Sequence, residues 1–312
     1  MGKKSLIFIF MTVFMIFYGV ACTTPQKKPQ VEPNKKEPVI TLYVAETGEI
    51  KKIALEKYLE GVVAAEMETD WPLEALAAQA ILARTFTLEK IEEGGVKARG
   101  TDASTNIEEF QAYNPNKVNS RVKEAVQMTR GEVAKYKGEY IKAWFFADGG
   151  GKTSASAKEG LGYTKTPTPY IKSVKDPGIN ITTPENKNWQ VTFPIGVVQK
   201  AVQQATGQYP GTITSAEIVE RGPSGRATKI KLGETVVSAP GLRLALGNDK
   251  MRSTMLTGIS IKDGNLVMQG KGYGHGVGMS QWGARALAEQ GKKPEEIVKY
   301  FFRDIEIVKE YR

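Results

Sequence analysis

Lys271-Gly272-Tyr273-Gly274-His275-Gly276-Val277-Gly278-Met279-Ser280-Gln281-Trp282-Gly283-Ala284 is the stretch from which the rest of the chain can be read. It holds the only histidine of the 312 residues. Glycine occupies every second position from Gly272 to Gly278. Glycine tolerates positive φ and close backbone approach, so the run predicts a tight loop and not a strand or helix. An alanine-rich helix over 283–289, stopped by Gly291, is expected next, with Ser280 as its N-cap. The loop would then deliver polar groups to a helix N-terminus whose backbone N–H groups meet a ligand.

A second block lies far upstream: Val63-Ala64-Ala65-Glu66-Met67, then Trp71-Pro72-Leu73-Glu74-Ala75-Leu76-Ala77-Ala78-Gln79-Ala80. A helix over 55–67 carries the apolar stripe Leu55, Leu59, Val62, and the same spacing continues to Glu66. A carboxyl on the inward face, among Ala64, Ala65 and Met67, is desolvated. Desolvation and the electronegative helix C-terminus both raise its pKa, which suits a general acid near neutral pH. The plainer reading is an end-of-helix glutamate that points to water. A second helix over 72–91 begins at Pro72 and ends at Gly94-Gly95. Arg84 sits on its small-residue line Ala77, Ala80. It is either a substrate-orienting donor or an internal salt-bridge partner.

His275, flanked by glycines, is a candidate substrate-binding residue together with Tyr273, Ser280 and Gln281, and Tyr273 and Trp282 offer faces to sugar rings or to the core. One histidine and no Gly-x-Ser-x-Gly elbow leave no good nucleophilic triad. One cysteine excludes an internal disulfide, and with one histidine it argues against a zinc site. No metal or other cofactor is expected.

The two blocks together resemble the stage II sporulation protein D family, SpoIID/LytB, over roughly residues 40–310, with weaker matches at Ser224-Gly225-Arg226 and 243–254. Residues 104–106 and Phe145-Phe146 depart from relatives that carry histidine there. The resemblance implies a lytic transglycosylase of peptidoglycan glycan strands, preferring strands stripped of stem peptides, with Glu66 as the acid. It equally admits a non-catalytic glycan-binding modifier of a wall amidase, or a tethered assembly protein among membrane scaffold proteins.

At the N-terminus, Lys3-Lys4 precede a mostly apolar run from Leu6 to Cys22. Residues 1–22 read as a signal peptide or a membrane or lipid anchor, with Cys22 as the candidate lipidation site and Gly19 a departure from such signals. Each reading places the body outside the cytoplasm, on the outer face of the cell membrane. Residues 23–39 are a Pro/Lys-rich tether, and 40–312 a single body. The net charge is +9, of which residues 1–40 supply six Lys against two Glu. The mildly basic remainder suits a polyanionic wall, and no nucleic-acid motif is present.

Between the blocks, strands are expected at 40–44 and 49–53, a short helix at 121–129, and a strand pair at 132–136 and 140–146. A second glycine loop falls at 148–152, too far from P-loop spacing to be one. A long loop at 160–190, a helix within 193–206 and short strands across 215–268 follow. A last helix at 294–302 and a strand at 305–308 close an α+β fold with a central groove.

Overall fold

The first alternating segments form the expected hairpin. Strand β1 (Val39–Tyr43) pairs antiparallel with β2 (Ile50–Ala54), Val39 facing Ala54 and Tyr43 facing Ile50. Helix α1 (Leu55–Glu66) follows directly, and its N-cap residue, Ala54, has no side-chain acceptor. Glu37 supplies one: Oε1 accepts from the Glu56 N–H at 2.8 Å while Oε2 meets Arg130 Nη2 at 2.6 Å. An acceptor on a first-turn N–H does the work of a cap. The body therefore begins by Glu37, a little before the tether was expected to end. The computed structural model describes residues 36–312, which belong to one compact unit. The anchor and Cys22 lie outside the described residues.

Helix α2 (Leu73–Glu92) is the central rod. Ala75, Ala77, Ala78, Ala80 and Ala83 are all fully buried, so helices approach it on several sides, as expected for a helix apolar all round. Strand β3 (Ala103–Ser104) adds parallel to β1. Helix α3 (Ser120–Met128) is capped by Asn119, whose Oδ1 accepts from Val122 N at 3.0 Å. Strand β4 (Glu132–Tyr136) pairs with β5 (Glu139–Tyr140), but β5 is only two residues long. The expected strand over 140–146 breaks there because Ile141 and Ala143 turn into the core. Its remainder, β6 (Phe145–Phe146), pairs in parallel with residues 279–280 instead.

A short helix, α4 (Ala157–Leu161), runs into the start of the expected loop at 160–190, and a second, α5 (Pro184–Lys187), lies near its end. The chain then builds a second hydrophobic core over residues 189–268, centred on Trp189, Phe193, Val198, Ile230, Leu242 and Met268. Strand β7 (Trp189–Pro194) leads into α6 (Ile195–Thr206). Strands β8 (Ala216–Arg221), β9 (Ala227–Leu232) and β10 (Thr235–Ser238) form an antiparallel meander. Helix α7 (Ala239–Leu246) interrupts the expected run of strands. Its stripe Ala239, Leu242, Leu246 is buried, and Ser238 caps it; Pro240 and Gly241 in its first turn mask the helical period. Strands β11 (Leu256–Lys262) and β12 (Asn265–Gly270) pair with each other, and β12 with β7.

The chain returns to the first core through β13 (Met279–Ser280), α8 (Gln281–Glu289), α9 (Pro294–Phe301) and β14 (Glu306–Lys309), which pairs with β4. The class is α+β, as expected, with one body carrying two cores.

Arg84 is wholly inside the first core. Its Nε and Nη2 donate to Glu56 Oε1 and Oε2 at 2.9 and 2.7 Å, and Nη1 donates to the Glu132 carbonyl at 2.9 Å. Glu56 Oε1 also accepts from Gly131 N at 3.1 Å and from the Tyr311 hydroxyl at 2.5 Å. The structure resolves the two readings of Arg84 in favour of the internal salt bridge, and the substrate-orienting role is withdrawn. This pair ties α1, α2, β4 and the C-terminus together. Arg84→Ala leaves a buried, uncompensated carboxylate and is expected to cost about 3–5 kcal/mol in urea unfolding. A loss below about 1 kcal/mol would contradict the role given to the pair.

Candidate active site

The loop glycines take the conformations that the sequence demands: φ is 78° at Gly272, 109° at Gly274, 83° at Gly276 and 81° at Gly278. Close approach is the second reason for glycine. A Cβ at 278 would lie 2.0 Å from the Trp144 carbonyl oxygen, and one at 276 would lie 2.4 Å from Arg226 Cζ. The other glycine loop, 148–152, packs back to back with this one. Asp148 and Tyr273 exchange backbone hydrogen bonds at 2.9 and 2.8 Å. Gly150 serves this close packing, since a Cβ there would lie 3.0 Å from the Lys271 backbone, while Gly149 makes room for the Asp176 side chain.

Two buried side chains lock the loops. Arg226 Nη2 donates to the carbonyls of Gly149 and Lys152 at 2.8 and 3.0 Å. Asp176 accepts from Gly149 N at 2.6 Å and from Gly178 N at 2.9 Å. It also accepts from the Ser280 hydroxyl, and burial pushes its pKa up. A Cβ on Gly283 would lie 2.4 Å from Asp176 Oδ1, so this carboxyl stands against the first turn of α8. Ser280 Oγ accepts from Gly283 N at 3.0 Å, and Trp282 N donates to Ala147 O at 3.0 Å. The helix N-terminus expected to meet a ligand is thus filled by the protein's own groups. Ser280 is fully buried and acts as the cap, not as a substrate-binding residue.

His275 and Tyr273 occupy the other end of the loop. The His275 ring lies 5.6 Å from Phe146, and Nδ1 accepts from Val277 N at 3.0 Å. Burial, with Arg243 and Arg226 behind it, pushes its pKa down to about 3, so the imidazole is neutral at any physiological pH. Arg252 covers the Tyr273 ring at 4.2 Å. Within 273–281 it is Gln281 whose side chain meets Glu66. Among the described residues no group of three or more His, Cys, Asp or Glu is placed to hold a metal ion.

Glu66 is the last residue of α1 and is half-buried. Its Oε1 accepts from Ala112 N at 3.1 Å. Burial pushes its pKa up to about 7, while the Ala112 N–H and the Gln281 amide pull in the opposite direction. Gln281 is 7% exposed, and its Nε2 has no well-aligned partner within the protein. Trp71, five residues after Glu66, meets Trp282 at 4.7 Å between ring centres, and the Arg285 guanidinium lies 5.2 Å from both rings. The end of α1 and the start of α8 therefore join as one surface of Glu66, Gln281, two indoles and an arginine. Trp71 and Arg285 are additions to the candidates read from sequence. Arg285 was legible in principle, since it follows Gln281 by one helical turn. Cavity size does not mark this surface. The largest described cavity, about 610 Å³, lies between Ser156, Lys158, Arg221, Lys229 and Pro240, and no residue of α1 or α8 lines it.

Comparison with known proteins gives the family. A family model described as "Stage II sporulation protein" matches residues 43–136, and a model described as a domain of unknown function matches residues 170–278. The chain is 30% identical to stage II sporulation protein D of Bacillus amyloliquefaciens, over 88% of its own length and 81% of that protein's. An uncharacterized protein of Brachyspira hyodysenteriae is 34% identical over 83% of this chain and 68% of its own length. The amidase enhancer of Bacillus subtilis is 30% identical over 78% of this chain and 39% of its own length. The chain belongs to the stage II sporulation protein D family.

The raised pKa of Glu66 has a consequence for stability. Its folded pKa lies above the unfolded one, so the folded state holds the proton longer. Stability then falls as pH rises from about 4.5 to about 7 and is flat beyond. Glu66→Gln removes the ionising group. The variant is expected to match or trail the wild type below pH 4.5 and to exceed it above pH 7. The gain is about 1–2 kcal/mol once the carboxyl's partial contact with water is allowed for. Melting curves at pH 4, 6 and 8 check this; a difference independent of pH would contradict it.

Proposed function

We propose that this protein is a lytic transglycosylase acting on the glycan strands of peptidoglycan, with Glu66 as its single acid–base group. The observation that carries the reading is the environment of Glu66. The groups that act on its titration are burial, one backbone N–H and the Gln281 amide, with no second carboxylate among them. Ordinary glycosidases place two carboxyls around the scissile bond. A lone acid poised near neutrality suits a reaction that needs no activated water. The Glu66 carboxyl gives its proton to the oxygen joining MurNAc C1 to GlcNAc, and the C1–O bond breaks. The carboxylate then takes the proton of the MurNAc C6 hydroxyl as O6 bonds to C1. The ring closes as a 1,6-anhydro sugar, the GlcNAc end leaves with a hydroxyl, and Glu66 is again protonated. Trp282, the residue after Gln281, is half-buried against Trp71 and offers a partly open indole suited to the C–H faces of sugars.

Family membership and the amidase enhancer relative give a second reading, a glycan-binding partner of a wall amidase. The relatives' names offer no ground for a membrane scaffold as partner, and none is proposed. Purified protein on denuded glycan strands separates the two readings. The wild type is expected to release anhydro-sugar ends, with rates falling as pH rises above about 7 because the proton-donating form of Glu66 is lost. Glu66→Gln is expected to lose at least about 100-fold while staying folded. Equal product release by the two proteins would remove Glu66 from the mechanism. Stimulation of an amidase by both, without anhydro products, would favour the second reading.

The body is proposed to work outside the cytoplasm, held by residues 1–22. The support is the mostly apolar run from Leu6 to Cys22 behind Lys3-Lys4; among the described residues no helix is long and apolar enough to cross a membrane. Cys22→Ala is expected to lower the mass by a lipid and release the protein from the membrane fraction. Unchanged mass and retention would leave a spanning anchor in place of a lipid.

A further inference from the structure

The face of α8 that begins at Gln281 carries a guanidinium that the proposed reaction leaves unused. Arg285 follows Gln281 by four residues, so the two side chains leave the same face of the helix. Its guanidinium lies against both Trp71 and Trp282 at 5.2 Å, and Nε donates to Glu289 Oε1 at 2.8 Å. These contacts fix the side chain, yet both Nη groups donate to no other described residue, and 32% of the side chain is open to solvent. A guanidinium clamped at its stem, with its terminal donors unspent, is preorganised for a planar oxyanion and loses little freedom on binding one. Gln281 adds the second observation: its amide nitrogen is buried beside the carboxyl of Glu66, in contact with it but without a well-aligned hydrogen bond to it or to any other described residue. A polar donor left in this state costs stability unless something it faces accepts from it. One surface thus holds two unspent donors, one charged and one neutral, beside a group that delivers a proton.

We infer that Arg285 is a specificity-determining residue, which together with Gln281 binds a carboxylate that the glycan carries beside the bond protonated by Glu66. This rests on the reading of Glu66 as the acid of a glycan-cleaving site. In a wall glycan the carboxylate nearest that bond is the lactyl group of MurNAc. It is an anion only where no peptide is joined to it by an amide. An amide offers one acceptor oxygen and no charge, so it cannot take a paired, charge-assisted contact from the guanidinium. Arg285 therefore makes the site prefer stripped strands, through a charge that the substrate must present and not through the bulk of the peptide alone.

The test uses two preparations of soluble glycan of equal length, one with free lactyl acids and one with these converted to methyl amides. Cleavage and binding of both are measured for wild type, Arg285→Gln and Arg285→Lys, with melting curves as the check on folding. The wild type is expected to bind and cleave the free acid at least about tenfold better than the amide, the scale of one lost charged hydrogen bond. Arg285→Gln is expected to lose about that factor on the free acid and to change less than about twofold on the amide, so that the preference collapses. Arg285→Lys keeps the charge without the fork and should retain part of it. Equal losses on both glycans, or a preference that survives Arg285→Gln, would overturn the inference and leave Arg285 a strut for the indoles. Charge-selective, Arg285-dependent binding without cleavage would uphold the inference and remove the enzymatic reading. Cleavage of both glycans at one rate would do the reverse, and absence of both binding and cleavage would sink the two together.

Discussion

The geometry beside Glu66 depends on the buried contacts of Asp176 with the 148–152 loop and with the start of α8. Asp176 accepts from Gly149 N and Gly178 N, and it stands against Ser280 and Gly283 at the start of α8. It fixes one loop, a short turn and a helix N-terminus at once. Arg226 fixes the same loops from the opposite side through the carbonyls of Gly149 and Lys152. Neither side chain tolerates a Cβ on the glycines it presses against: Gly149 and Gly283 meet Asp176, and Gly276 meets Arg226. The alternate glycines are therefore a packing requirement before they are anything else. Once the loops are locked, the direction of α8 is set, and with it the positions of Gln281, Trp282 and Arg285.

The chemistry follows from where that helix begins. Gln281 reaches Glu66, and Trp282 reaches Trp71, so the end of α1 and its following turn are held against the first turns of α8. The acid is raised by loss of water and not by a neighbouring negative charge. A like-charge origin would have called for a second carboxylate and hence for a two-carboxyl mechanism. A desolvation origin calls for walls, and these are Ala112, Gln281 and the apolar residues of α1. Glu66 is still only half-buried, which in the proposed reaction leaves a path for the glycosidic oxygen to reach it.

Much of this was legible in the sequence, for identifiable reasons. The hairpin, α1, α2 and the glycine loop declare themselves through period, proline and glycine placement, and each lies within two residues of its expected bounds. The inward turn of Glu66 was readable because the stripe Leu55, Leu59, Val62 points to it. What was not readable was partnership. Arg84 satisfies the pattern of a groove residue as well as that of a core ion pair, and only Glu56, twenty-eight positions earlier, decides between them. Ser280 has the sequence of a ligand-facing helix start, and a carboxyl more than a hundred residues upstream fills that place. Helix α7 was hidden by the proline and glycine that open it. The second core was invisible for a different reason: separate cores are made by long-range packing, which no local pattern encodes.

The second core bears on the site through the residues it sends back. Ser224 donates to the buried Glu159 from both its N–H and its hydroxyl, at 2.9 and 2.8 Å, and Arg226 enters the loops two positions later. Arg243 holds the Arg252 carbonyl at 3.1 Å, and Arg252 covers Tyr273. The weak family matches at 224–226 and 243–254 thus fall on residues that support the glycine loop from behind, and on none that touch Glu66. The lobe of residues 189–268 works as a buttress. Its strands and helices bury enough apolar surface to stand as a core, and its arginines spend that rigidity on the loop. A substitution in the lobe therefore reaches Glu66 only by shifting the loop and the start of α8, which under the proposed function would change how a glycan sits and leave the proton transfer as it is.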